Sequence, residues 1–171
     1  ALPICWKDVY EAQECAFVLL CDQYHKTLLH GFSPQVLERL ALIESLGLTH
    51  TKRSEESVAM QQFSTPPQLA YLVMRCAELS GADLVLEPSA GTGILAGLAE
   101  TQGATVVLNE LSKRRTAILR KLFAGKAIYS FNAEQIHDYL PAGISPTVVI
   151  MNPPFSVSPS LDRRNPQARS E

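Results

Sequence analysis

The chain has 171 residues, 46% hydrophobic and 19% charged, enough for one globular domain with a real core and a small appendage. Fifteen basic side chains against seventeen acidic ones leave a net charge of −2, so charge alone does not mark a nucleic-acid surface. The longest apolar stretch, Cys15 to Cys21, is closed by Glu14 and Asp22, too short to span a bilayer and too deep for a signal segment; a cytoplasmic protein with no membrane partner is expected.

From Trp6 to Leu29, apolar Val9, Phe17, Leu20, Tyr24 and Leu28 recur at helical spacing, and Gly31 follows as a stop. Cys21 and His25 share a face of that helix and His30 follows, but a closed zinc site needs a fourth ligand that cannot be placed, so no metal is expected. The four cysteines form no CxxC pair, sit in segments that read as helical and are expected to be reduced, buried thiols. Ser33-Pro34 supplies an N-cap and a first-turn proline for a second helix, with stripe Val36, Leu37, Leu40 and Ile43, closed by Gly47. The two helices read as a hairpin, and the polar run from Thr49 to Ser57 as a link.

After Phe63 short β-branched runs alternate with helices. Thr65-Pro66-Pro67-Gln68 reads as a capping box that opens a helix with stripe Leu69, Leu72, Val73, Cys76 and Leu79, ended by Gly81. Strands are expected at 84–86, 105–108, 127–129 and 147–151, with helices at 94–101 and 112–123 and a further one beginning near Ala133. This rhythm means a parallel α/β sheet with right-handed crossovers.

Ligands of such sheets bind at the carboxyl ends of the strands, where strand order reverses. Glu87-Pro88-Ser89-Ala90-Gly91-Thr92-Gly93 follows the first strand, and its glycines allow a tight turn close to a ligand. The turn is neither a GxGxxG dinucleotide fingerprint nor a lysine-bearing P-loop. Glu110, just past the second strand, can accept both hydroxyls of a ribose, or can simply be a solvated acid at a helix start. Asn132 and Ala133, after the third strand, can read the edge of an adenine with an amide and a backbone N–H, or Asn132 can be an N-cap.

Glu-Pro-Ser-Ala-Gly-Thr-Gly, the acid Glu110, Asn132 and Asn152-Pro153-Pro154-Phe155 stand in an order and spacing that resembles the S-adenosylmethionine-dependent amino-methyltransferases, over roughly Gln62 to Phe155. Gln62-Phe63-Ser64-Thr65-Pro66 also resembles the segment before the first strand in N6-adenine DNA methyltransferases of the restriction-modification kind. The resemblance implies a Rossmann-like α/β fold with S-adenosylmethionine as cofactor. It implies that Glu87, Pro88, Ser89, Ala90, Gly91 and Gly93 hold the methionine portion, Glu110 and Leu111 the ribose side, Asn132 and Ala133 the adenine, and that Phe63 and Thr65 cover the cofactor. Many relatives carry an acid where this chain has Asn132, and an amide accepts less strongly.

The last motif carries the acceptor chemistry. A conjugated exocyclic amine is a poor nucleophile and needs its hydrogens held by acceptors, which the Asn152 side-chain oxygen and the Pro153 carbonyl can supply. Pro153 and Pro154 remove backbone donors and stiffen the rim. Phe155 can stack on a base flipped from a duplex, with DNA as the implied partner. Protein-glutamine and guanine-N2 RNA methyltransferases have a similar loop, usually ending in tyrosine, and a non-catalytic cofactor-binding module is a further alternative. Lys113, Arg114, Arg115, Arg120, Lys121 and Lys126 form an acid-free stretch that can touch phosphates or be a solvated face.

The expected division is a helical region at 1–60, the methyltransferase core at 61–155 and a polar tail at 156–171 with three arginines. The family's sheet has about seven strands, of which four are expected here as a partial sheet, so the chain reads as a piece of a larger enzyme that depends on the rest of its polypeptide, or another chain, to complete the sheet and supply target recognition. The helical region ahead of the QFSTPP-like segment also resembles the methylase part of plasmid- and phage-borne methylase-helicase proteins.

Overall fold

The computed structural model describes residues 4–24, 32–47 and 64–153. In chain order these form α1 (Trp6–Gln23), α2 (Pro34–Leu46), α3 (Pro67–Ala77), β1 (Leu84–Glu87), α4 (Ile94–Thr101), β2 (Thr105–Asn109), α5 (Lys113–Leu122), β3 (Ala127–Tyr129), a 3-10 turn (Ala133–Gln135), α6 (Ile136–Tyr139) and β4 (Val148–Val149).

The strands make one parallel sheet in the order β3-β2-β1-β4. Val85 lies between Val106 of β2 and Val148 of β4, and Leu86 between Val107 and Val149. Val85, Leu86, Val106, Val107 and Leu108 are all buried, as expected of near-continuous apolar strands in a parallel sheet covered by helices. The chain moves outward from β1 through β2 to β3, then crosses to the other side of β1 for β4. The strand order therefore reverses between β1 and β4, and a crevice for ligands belongs at the carboxyl ends of those two strands. At the opposite end Thr147 fixes the register of β4: its hydroxyl donates to Asp83 Oδ1 at 2.9 Å and accepts the Leu84 N–H at 3.0 Å.

The helices depart from expectation in which faces they bury. In α1 the inward residues are Tyr10, Glu11, Glu14, Phe17, Val18 and Cys21, whereas Leu20 and Tyr24 of the expected stripe are exposed. The face is turned because Glu11 and Glu14 find polar partners inside, so hydropathy alone misplaces it. In α2 the expected start holds, with Ser33 Oγ accepting the Val36 N–H at 3.4 Å and Pro34 opening the helix; of the expected stripe Val36 and Leu40 are buried, whereas Ile43 is exposed. Helix α3 buries Ala70, Tyr71 and Met74 rather than Leu69, Val73 and Cys76, which are exposed. It starts at Pro67 with Pro66 as N-cap and no side-chain cap, so the expected capping box does not form; Thr65 lies one residue outside it.

One hydrophobic cluster joins these helices to the sheet: Phe17, Val18 and Cys21 of α1 and Val36 and Leu40 of α2 meet Tyr71, Met74, Leu98, Leu108 and Ile150. Helix α1 lies along α4 and reaches α5, while α2 leans on α3. Each fully buried aliphatic or aromatic side chain there contributes about 1.5–3 kcal/mol, so the two leading helices are integral to the core that supports the sheet. No described helix is long and apolar enough to cross a membrane.

Candidate functional site

Glu87 ends β1 and is fully buried, with Oε2 lacking any hydrogen-bond partner among the described residues. Burial drives its carboxyl well above the usual glutamate range; the Ala96 backbone amide at the start of α4 pulls the other way, and the charge of Glu110 adds to the rise. A cationic N–H donor reaching that oxygen would satisfy it and favour ionisation.

The turn after Glu87 uses its two glycines differently. Gly91 (φ +58) is half-buried, and its N–H donates to Glu110 Oε2 at 2.8 Å. Gly93 (φ +91) is buried, and a Cβ there would lie 2.4 Å from Phe123. The space that a Cβ at Gly93 would occupy is filled by the Phe123 ring, so packing as well as the positive φ requires glycine there.

Glu110, just beyond β2, is buried and accepts two backbone amides, Gly91 through Oε2 and Ser112 through Oε1 at 2.7 Å. Each oxygen keeps a second lone pair for a ligand hydroxyl. Leu111 beside it is exposed. The residue that sequence reasoning missed is Asn109, fully buried at the end of β2. Its Nδ2 donates to the carbonyls of Pro88 (2.9 Å) and Phe131 (3.0 Å), its Oδ1 accepts the Phe131 N–H (2.8 Å), and its own carbonyl accepts the Ala90 N–H (2.9 Å). One carboxamide thus fastens together the loops that follow β1, β2 and β3. An asparagine at a strand end reads as a turn residue, which hides this role.

Asn152 follows β4 on the other flank of the strand reversal. Its Nδ2 donates to Thr65 Oγ1 at 3.1 Å, and its backbone carbonyl accepts the Ser89 hydroxyl at 3.4 Å. The structure therefore brings together Thr65, Ser89 and Asn152, three residues distant in sequence, and separately joins Gly91 to Glu110. Thr65, not needed as a cap, is free to hold Asn152. Glu14 of α1 reaches the same region: it accepts the hydroxyl of Thr92 at 2.7 Å and that of Ser64.

Other expected residues stand apart. Asn132 is exposed and caps the 3-10 turn, its Oδ1 accepting the Glu134 N–H at 3.2 Å, as its N-cap reading requires. Pro153 is exposed and Ala133 half-buried. Phe63, Pro154 and Phe155 lie outside the described residues, as do His25 and His30. The basic stretch is not a single free face: Arg114 and Arg115 pair with Glu11 at 2.6 and 3.1 Å, Arg114 also pairs with Asp8, and Lys126 pairs with Glu100 at 2.5 Å. Those three cations are engaged in the fold, while Lys113, Arg120 and Lys121 remain exposed.

A parallel sheet ordered β3-β2-β1-β4, with a glycine turn after β1 and an acid after β2, defines a partial Rossmann-like fold of the S-adenosylmethionine-dependent methyltransferase class. No family model matches the sequence, and no curated protein matches it. Among solved structures the chain is similar to PH1948 from Pyrococcus horikoshii, provisionally assigned as an RNA methyltransferase. The two are 26% identical with a TM-score of 0.50, over 71% of this chain and 61% of that one. The chain thus spans about three fifths of that neighbour's length. TrmN from Thermus thermophilus (22% identity, TM-score 0.49, 67% of this chain and 37% of that one) is also similar, as is a protein-L-isoaspartate O-methyltransferase (18%, 0.44, 81% and 47%); neither adds weight to the assignment.

Proposed function

We propose that this chain carries the cofactor site and acceptor loop of a methyltransferase that moves a methyl group from S-adenosylmethionine to the exocyclic N6 amine of adenine in DNA. The observation that carries the reading is the meeting, at the reversal of strand order, of the turn that follows the buried acid Glu87 with the Asn152 loop, through the bond from the Ser89 hydroxyl to the Asn152 carbonyl, while Thr65 holds the Asn152 side chain.

S-adenosylmethionine, when bound, supplies a methyl carbon activated by its sulfonium neighbour. In this reading Glu87 and the Gly91 turn hold the methionine end, with the Glu87 carboxyl balancing the ammonium. Glu110 takes the ribose hydroxyls on its remaining lone pairs. Asn132 and Ala133 face the adenine, which requires the Asn132 oxygen to serve a ligand in addition to the Glu134 amide. On the acceptor side, the bond from Asn152 Nδ2 to Thr65 fixes the plane of the carboxamide, so its oxygen and the Pro153 carbonyl form a rim of acceptors for the two amine hydrogens. Holding those hydrogens turns the nitrogen lone pair out of conjugation and stabilises the positive charge that grows there during transfer. Phe155 stacks on the flipped base.

Methylation of an RNA base amine is the second reading, favoured by the Pyrococcus horikoshii neighbour. Incubation of the full-length protein with tritiated-methyl cofactor and a choice of unmethylated duplex DNA, tRNA and protein separates the two. Label in adenine of DNA, lost in Asn152→Ala, is expected; label confined to RNA or protein rejects the DNA reading.

A further inference from the structure

We infer that Glu14 is a positioning residue that sets the glycine turn and the acceptor loop as one unit, an inference that rests on the function proposed above. The Thr92 hydroxyl, from the turn between Gly91 and Gly93, donates to one Glu14 oxygen at 2.7 Å, and the Ser64 hydroxyl donates to the other. Ser64 adjoins Thr65, which accepts the Asn152 side chain at 3.1 Å. A continuous path therefore runs from Thr92 through Glu14, Ser64 and Thr65 to Asn152. Glu14 itself is anchored: it is buried in α1, between Glu11, paired with Arg115, and Phe17 of the core.

A cavity of about 360 Å³ lies between Ser64, Thr65 and Pro66 on one side and Phe17, Leu20 and Ile43 on the other. Glu14 also lines this cavity, whereas none of Glu87, Gly91, Glu110 and Asn152 does. The Ser64 segment borders this space and is tied by hydrogen bonds to Glu14 on one side and to Asn152 on the other. Thr92 is likewise buried, so its hydroxyl needs this acceptor. Glu14 touches neither cofactor nor acceptor in this scheme; it acts through the groups it aligns.

The test measures two things on the full 171-residue chain. Amide hydrogen exchange without cofactor reads the coupling, and calorimetry with S-adenosylmethionine reads its consequence. In Glu14→Ala the amides of Ser64 and Thr65 and those of Thr92 and Gly93 are expected to exchange faster together, with β1 and β2 unchanged. The dissociation constant is expected to rise about tenfold, the equivalent of losing one hydrogen bond. Glu14→Gln, which keeps an acceptor oxygen, restores part of both. A folded Glu14→Ala variant with wild-type exchange and affinity overturns the inference. If that variant does not fold, Ser64→Ala decides: faster exchange at Thr92 and Gly93, across Glu14, supports the coupling, and an effect confined to Ser64 and Thr65 overturns it. Absence of cofactor binding by the wild-type chain rejects the proposed function instead, and the exchange measurement still decides whether Glu14 couples the two segments.

Discussion

Glu87 lies fully buried at the end of β1, with one oxygen unpartnered among the described residues, and this has opposite consequences for folding and for binding. Its folded pKa is raised above the ordinary 4.5. The folded chain therefore keeps a proton that the unfolded chain releases as pH rises past that ordinary value. Stability falls with rising pH from there until the raised folded value is passed, and then levels off. Glu87→Gln keeps the shape without the charge, so denaturant midpoints taken between about pH 5 and about pH 8 should lose that slope, with the variant the more stable at the upper end. The same substitution should weaken S-adenosylmethionine binding by about tenfold or more, because the cationic group loses its charged partner. Gly93 gives a different outcome. An alanine there must adopt φ +91 with its Cβ 2.4 Å from Phe123, so Gly93→Ala should cost about 2–4 kcal/mol in urea unfolding.

Among the elements, α1 depends on charge more than its sequence suggests. Glu11 is buried and accepts from both Arg114 and Arg115, clamping α1 to α5. Glu11→Ala leaves Arg115 buried without its partner and should cost about 3–5 kcal/mol by chemical denaturation. Asp8 sits at the exposed rim of the same cluster; its bonds to Cys5 and Arg114 hold its carboxyl below the usual range, yet Asp8→Ala should change the midpoint little. The bounds of α4 and β3 were legible from local pattern and turn residues, because short apolar runs bordered by glycine and polar residues have few other solutions. The inward face of α1 was not, since Glu11 and Glu14 look like solvent residues until Arg115 and Thr92 arrive from far along the chain. Thr65 failed as a cap for a related reason: two prolines follow it, the helix starts after them, and its hydroxyl turns to Asn152. The Glu87 turn and Glu110 were readable as candidate site residues only together, through the order and spacing of the motifs that carry the resemblance, since a glycine turn or an acid at a strand end taken alone also has structural uses. Asn109 and Glu14 were hidden because their roles consist wholly of long-range hydrogen bonds.

For the molecule as a whole, four parallel strands place the Glu87 turn and the Asn152 loop on adjacent strand ends, β1 and β4, across the reversal of strand order. Asn109 then holds the loops after β1 and β3 to the end of β2, and Glu14 holds the turn to the segment before α3. A site so framed should exist before ligand arrives, with modest rearrangement on binding. Calorimetric titration of the purified chain with S-adenosylmethionine is the most direct measurement of whether it is a cofactor site. Saturable heat from a single site is expected, with affinity lost in Glu110→Ala while the circular dichroism of the variant stays that of the wild type. No heat from the folded wild-type chain, or unchanged affinity in Glu110→Ala, would contradict it.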